Sequence, residues 1–588
     1  MNKKDTWQRV LSFGLAALMC ILVPAGLAWS ADQDLLERME DKVTRFRLDN
    51  GLTFVVIERH EAPVASFVTM VDVGSVNEPA GLSGLAHMLE HMAFKGTSRI
   101  GTKNWEAEKK VLAKLEDAYR TWRKAVESEA ADDQVQALKK RFEDLQEKAK
   151  SYVQQNDFAS ILEAHGGTDL NAATSSEYTM YFCSLPANKA ELWFSLESER
   201  LRDPVWREFF TEKEVVLEER RMRVDSSPIG RLMERLLAVS FLAHPYRNPV
   251  IGWESEIKAA LPSDLTRLYE QYYVPENMVC AVAGDVDPEQ VRSWAKKYFG
   301  SLPSGPRPPK VHTREPERLG PRQVEISSRA QPVLARTYPG LSRFDPRAPA
   351  LDLASDILSQ GRTSRLYTSL VEDEQLAARV GTYSGYPADV DPGLFLIFAL
   401  PNTGVSLSDL AQGIDAQIEE LRTKEVSPQE LDRVKTRARA DLLRGLDSNL
   451  GLARTLARAQ LLDNDWQEAF FRLQDLEEVQ PEDEPLEAYA QNTQNVAALK
   501  RARDQGLAVH PGQDIKYVVV DDKKTSRERV ALAHETIESY DLSYYETQLI
   551  RAVESVLSPV GWDRSKIRRE LAETRVPELT AFANSEQN

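Results

Sequence analysis

Cysteine is almost missing from this chain, at 3 of 588 positions, and that excludes a fold stapled by a disulfide framework. Cys20 lies in an N-terminal apolar stretch, so Cys183 and Cys280 are what remains if that stretch is removed. Both sit in strand-like apolar runs, where buried thiols are the default and a single disulfide is the open alternative. An excess of positive charge is missing too: 74 basic residues against 91 acidic ones give a formal net charge of −17. That balance works against nucleic acid and anionic membrane surfaces as partners. The long apolar run from Leu11 to Leu27 follows Lys3, Lys4 and Arg9 and precedes Ala28, Ser30 and Ala31. It reads as a cleavable export signal over residues 1–31, because it is short for a membrane span and no stop-transfer pattern follows. The expected location is the periplasm or the exterior, without stable membrane insertion after cleavage; an uncleaved anchor is the alternative.

Histidine is scarce as well, at 8 positions, which makes its clustering informative. The stretch from Gly84 to Thr97 contains His87, Glu90 and His91, a His-x-x-Glu-His pattern in an apolar run. At 3.6 residues per turn the two imidazoles project about 40° apart and the carboxylate about 60° to the other side. Two imidazoles one turn apart suit a tetrahedral zinc, and a third protein ligand leaves the fourth position for water. Glu90 is then placed to take that water's proton. The order inverts the commoner His-Glu-x-x-His peptidase helix. Further on, Phe210 to Met222 lacks Pro and Gly and reads as a helix, with Glu212 and Glu219 two turns apart on one face. By itself this second helix reads as a solvated charged face of Glu212, Glu214, Glu218 and Glu219.

Together, His-x-x-Glu-His and a later Glu-x6-Glu helix resemble the pitrilysin, insulysin and mitochondrial processing peptidase family. The resemblance implies one zinc per chain held by His87, His91 and Glu219, with Glu90 as catalytic base and Glu212 supporting a ligand or the base from behind. It also implies that Asn171 and Ala172, in Leu170 to Thr179, align a peptide substrate by adding it as a strand to a sheet edge. An Asn-containing turn entering a strand is the plainer reading of that segment. His244 to Gly252 and Tyr272 to Pro288 are family-like and read as structural. The expected fold class is α+β: two homologous α/β half-domains, each a mixed sheet flanked by helices, forming one shell of a clam-like chamber with an inserted helical hairpin.

The boundaries follow from composition. Residues 32–300 form the zinc half, and 301–321, with six prolines including Pro303, Pro308 and Pro321, read as an extended linker. Residues 322–482 form a second half without a zinc motif: after Gln323 come a strand, a helix at Asp352 to Ser359, strands near Val380 and Leu394, and long helices from Leu407 to Ala459. Residues 483–588 are an extension of unassigned role, with a strand-like Ile515 to Val520 and a helical stretch near Tyr545 to Leu557.

The chain departs from the family at two places. His91 and Glu219 are separated by roughly fifty residues more than the family usually places there, and the excess is an antiparallel helical hairpin over 104–155 that returns the chain to its starting point. Leu112, Leu115, Tyr119, Trp122 and Val126 on one arm, and Leu138, Phe142, Leu145, Ala149 and Tyr152 on the other, have coiled-coil spacing. A solvated decoration, a docking arm and a lid are its alternative readings. Second, Val371 and Ala378 stand where single-chain members carry a substrate-holding Arg/Tyr pair. The resemblance therefore implies a heterodimer with a non-catalytic family subunit that supplies the pair, or a homodimer. Two rival readings are a non-catalytic scaffold subunit that retains zinc, and a structural zinc site closed by His165 or His244.

Overall fold

The computed structural model describes residues 42–470, together with Met39, Arg472, Leu476, Val479 and two short strands further on. The export signal expected over 1–31 and the helix expected near Tyr545 to Leu557 lie outside the described residues. Among the described residues no helix is long and apolar enough to cross a membrane.

The first sheet has six strands. They are β1 (Val43–Arg47), β2 (Thr53–Glu58), β3 (Val64–Val71), β4 (Thr168–Thr174), β5 (Thr179–Pro186) and β6 (Met278–Gly284). Their order is β1-β2-β6-β3-β5-β4, with β2 parallel to β6 and all other neighbours antiparallel. β2, β3 and β6 read as continuous apolar runs because the sheet is covered on both faces. On one face Phe54, Phe67, Cys183 and Val282 join a core with Leu85, Leu89, Trp193, Val216 and Phe299. On the other, Val55, Val68, Met70 and Ala281 meet Leu452, Ala453 and Leu456. Cys183 and Cys280 are buried and free, on the two strands that flank β3.

Helices α1 (Leu85–Met92), α2 (Trp105–Glu127), α3 (Asp132–Lys150), α4 (Ala190–Arg202), α5 (Phe209–Arg220) and α6 (Pro288–Phe299) belong to the stretch that builds this sheet. α2 and α3 form the expected hairpin. It is no solvated decoration at its base: Tyr119 and Phe142 pack on Phe210 of α5, and Trp122 stacks on Phe142. Glu108 of α2 is fully buried against Arg207 at 2.9 Å. Arg207 also donates to the carbonyls of Lys95, Thr97 and Ile100, in the loop that follows α1. Lys213 of α5, buried beneath the hairpin, donates to the Tyr119 hydroxyl and to the carbonyls of Lys258 and Ala260. Burial pulls its ammonium down to about 7.

Residues 303–333 form neither helix nor strand. The strand expected ahead of the Asp352 helix begins at Leu334. The extended stretch is tied down: Glu315 accepts from the amides of Leu242, Ala243 and His244, and Arg318 and Arg322 donate to the Ser240 carbonyl. These charges answer exposed backbone groups at a helix end, which keeps the segment from pairing as a strand.

The second sheet has three antiparallel strands, β7 (Leu334–Pro339), β8 (Ala377–Tyr386) and β9 (Leu394–Pro401), in the order β7-β9-β8. With them go α7 (Ala348–Ser359), α8 (Leu407–Thr423), α9 (Pro428–Leu446) and α10 (Asn449–Leu462). Leu358, Leu366, Phe395, Ile397, Leu410 and Ile414 make its core. α10 falls within 322–482, yet its apolar face covers the first sheet. Its small residues Ala453 and Ala457 let the helix lie close on the strands. In a separate compact unit, Tyr517–Val519 and Val530–Leu532 pair antiparallel.

Candidate metal centre

α1 begins at Gly84, whose φ of +85° suits a residue without Cβ. A Cβ on Gly84 would meet the Ile251 carbonyl at 2.6 Å, and one on Gly252 would meet Ser83 O at 2.4 Å. The two backbones are thus in direct contact, which gives the Gly at the end of His244 to Gly252 its packing role. The orphan amides at the start of α1 are met from both sides in sequence: upstream, Glu78 accepts from Gly84 N at 2.9 Å and Ala86 N at 2.8 Å, and far downstream, Glu256 accepts from Ser83 N. Burial pushes Glu78 up to about 8 against the pull of those amides.

On this helix His87 and His91 face α5, and Glu219 near the end of α5 faces them. Oε2 of Glu219 lies 3.6 Å from His87 Nε2 and 3.4 Å from His91 Nε2. Ligands about 2.1 Å from a tetrahedral zinc lie roughly 3.4 Å apart, so the spacing is that of a zinc site. Among the described residues this trio is the one group of His, Cys, Asp or Glu side chains with metal-holding geometry. Glu219 Oε2 is buried and has no hydrogen-bond partner, as expected of an atom kept for a cation. The other oxygen, Oε1, forms an ion pair with Arg223 at 2.8 Å, which orients the carboxylate.

Glu212, two turns earlier, meets His91 Nδ1 at 3.0 Å and Lys95 Nζ at 2.6 Å. His91 thus has a carboxylate behind it while its Nε2 faces the trio, the arrangement that fixes the tautomer of a ligating imidazole. Burial lowers both imidazoles. For His87 it prevails together with the neighbouring His91 charge. For His91, Glu212 and Glu219 outweigh it and hold the ring up to about 9. The nearby His91 imidazole, then His87 and Arg223, keep Glu219 below the usual carboxylate range.

Glu90 lies on the same helix, and its Oε2 accepts from the Thr174 hydroxyl at 2.6 Å. Burial raises its carboxyl, opposed by Thr174 and His91. Thr174 ends β4, which pairs with β5 alone, so its outer edge is open within this sheet. Asn171 and Ala172 lie on that edge strand. Asn171 Oδ1 accepts from the Ala172 amide at 2.8 Å, so the free edge is capped by its own side chain. The spare histidines stand elsewhere: His165 is exposed and bonds the Ile161 carbonyl, and His244 is buried against Asp391. Val371 and Ala378 lie beside and at the start of β8, with neither Arg nor Tyr at those positions.

Sequence reading missed Glu78, Lys95, Arg223 and Thr174. Thr174 stands inside the segment singled out for Asn171 and Ala172, and the acid at Glu78 precedes a helix start, which is a usable signal for a cap.

Residues 53–117 and 142–253 match the family model described as insulinase (peptidase family M16), and residues 261–438 match the peptidase M16 inactive domain. The unmatched 118–141 are the outer part of the hairpin. A zinc protease, PqqE, of Helicobacter pylori is 30% identical over 434 residues, which are 71% of this chain and 83% of that protein. A probable mitochondrial-processing peptidase subunit beta of Schizosaccharomyces pombe is 26% identical over 432 residues, 71% of this chain and 81% of its own. Among solved structures, that of a protease from Helicobacter pylori superposes with a TM-score of 0.62 at 27% identity, covering 75% of this chain and 94% of the other.

Proposed function

The chain belongs to the insulinase family, peptidase family M16, and from that premise we propose that it is a zinc metalloendopeptidase acting on peptides or unfolded segments. The observation that carries this reading is the convergence of His87, His91 and Glu219 around a buried, unpartnered carboxylate oxygen. His87 Nε2, His91 Nε2 and Glu219 Oε2 would hold one zinc ion, which when bound supplies Lewis acidity to polarise a carbonyl and to acidify water near neutral pH. Glu212 and Arg223 orient two of the ligands. Glu90 takes the proton of the attacking water on its carboxylate and returns it to the leaving amine nitrogen as the C–N bond breaks. A peptide laid along β4 would displace the Asn171 cap and pair with the Ala172 amide, which brings its backbone alongside Glu90.

Neither Val371 nor Ala378 can stabilise an oxyanion, and losing such a donor typically costs about 10²- to 10³-fold in rate. A non-catalytic family subunit supplying Arg and Tyr in trans answers that deficit, and export through the leader of residues 1–31 would place this chain in the periplasm or outside. The reading is tested with the zinc-loaded mature chain, its Glu90→Gln variant and a mixed peptide library, with native-compartment extract added or withheld. Cleavage by the wild type alone, lost in the variant, supports a self-sufficient peptidase. Cleavage only with extract supports the two-subunit form. Equal cleavage by both proteins removes Glu90 from its role, and silence under all conditions favours a zinc-retaining scaffold.

A further inference from the structure

Glu90 is held by a residue that belongs to the strand on which a peptide would dock. The Thr174 hydroxyl has one proton and the ionised carboxylate only accepts, so the 2.6 Å contact runs from Thr174 Oγ1 to Glu90 Oε2. The other hydroxyl at hand, Thr179, spends its proton on the Val73 carbonyl at 2.8 Å. Directly after Thr174 the chain is immobilised. Ser175 Oγ accepts from the amides of Glu177 and Tyr178, and the carbonyls of Ser175 and Ser176 accept from Ser75 and Val76. The buried Glu177 carboxylate accepts from Tyr246 and from the Val390 amide of the second half at 2.7 Å. Before Thr174 the strand is less constrained, with a register shift between Thr168 and Asn171. Thr174 therefore stands where an anchored turn passes into an open edge.

We propose that Thr174 is the positioning residue for Glu90, fixing the carboxylate relative to β4 so that a peptide added to that edge meets an already oriented base. This rests on the peptidase reading of the same site. Thr174 touches neither metal ligands nor the reacting atoms and acts only through Glu90. Removing its hydroxyl should leave zinc binding and peptide docking intact while releasing the base.

The test compares zinc-loaded wild type, Thr174→Val and Thr174→Ser by crystallography, zinc stoichiometry and steady-state cleavage. The expected result is one zinc in each protein and a kcat lowered about 10- to 100-fold in Thr174→Val at nearly unchanged KM, the range of a lost hydrogen bond to a charged group. Thr174→Ser should restore kcat. In the crystals, Glu90 should leave its position in Thr174→Val and keep it in Thr174→Ser. An unmoved Glu90 in Thr174→Val overturns the proposal even for a chain that is inactive without a partner. So does a kcat within about twofold of wild type, a result that leaves the peptidase reading standing as long as Glu90→Gln is inactive.

Discussion

The two halves share a grammar of strands and helices but differ in what lies beneath it. The first closes six strands between two apolar layers, and it sinks charges where they hold α1 and α5: Arg207 against Glu108, Lys213 under the hairpin, Glu212 against His91 and Lys95. The second has three strands, and at one of its own ion pairs, Arg365 with Glu430, both partners keep some contact with water. Its helix-turn region from Thr363 to Leu370 carries no His, Asp or Glu at all. Architecture of this kind thus does not imply a metal site. The candidate site lies where metal-suited side chains on two helices are backed by buried polar groups, which are costly unless satisfied.

The comparison can be broken at its deepest point first. Truncating Arg207 to Ala strands the Glu108 carboxylate in the core and frees three carbonyls of the loop after α1. The expected loss is about 3–5 kcal/mol by denaturant unfolding, against about 1 kcal/mol for Arg365→Ala in the second half. Equal losses would erase the distinction between the halves. Next, Glu212→Gln should weaken zinc about 10- to 100-fold in a competitive chelator titration, whereas Glu430→Gln should leave zinc affinity unchanged. Zinc affinity that ignores Glu212 would reduce it to a surface acid.

The smallest effect concerns the contact between the halves. Burial pushes Glu177 up to about 7, from an ordinary value of 4.5. Because the folded value lies above the unfolded one, the folded state binds the extra proton between them. Its contribution is fully present below 4.5 and is lost as pH rises through about 7. The melting temperature should fall modestly across that window, and Glu177→Gln should flatten the slope. A slope that steepens with Glu177→Gln would show the carboxylate to be ionised in the fold.

Much of the site was legible because its parts are local. His87, Glu90 and His91 lie within two turns of one helix, and Glu212 and Glu219 within two turns of another, so helical periodicity alone groups them. The hairpin was legible from heptad spacing, but its docking was not. Tyr119 and Phe142 satisfy a coiled-coil seam and a contact with Phe210 equally well, and the buried partner of Glu108 lies 99 residues away. α10 was legible as a helix following the second half's strands. That it covers the first sheet depends on an apolar face whose partners are remote in sequence. Where the second half's first strand starts was not legible, because the preceding Arg318, Arg322 and Glu315 bind backbone groups at a helix end in place of a ladder, and the strand begins only at Leu334.

What the sequence determined by itself was therefore the inventory: two helices bearing the candidate ligands, an edge strand, a hairpin and a second half without a zinc motif. Each follows from side-chain spacing on a regular backbone, which nearest neighbours settle. Tertiary structure alone decided that Glu219 presents Oε2 to both imidazoles, that Glu212 chooses His91 over Glu90, and that Thr174 reaches Glu90 across 84 residues. Those pairings turn on directed contacts of a few ångströms between remote residues, and only the packing of α1, α5 and β4 against one another sets such distances.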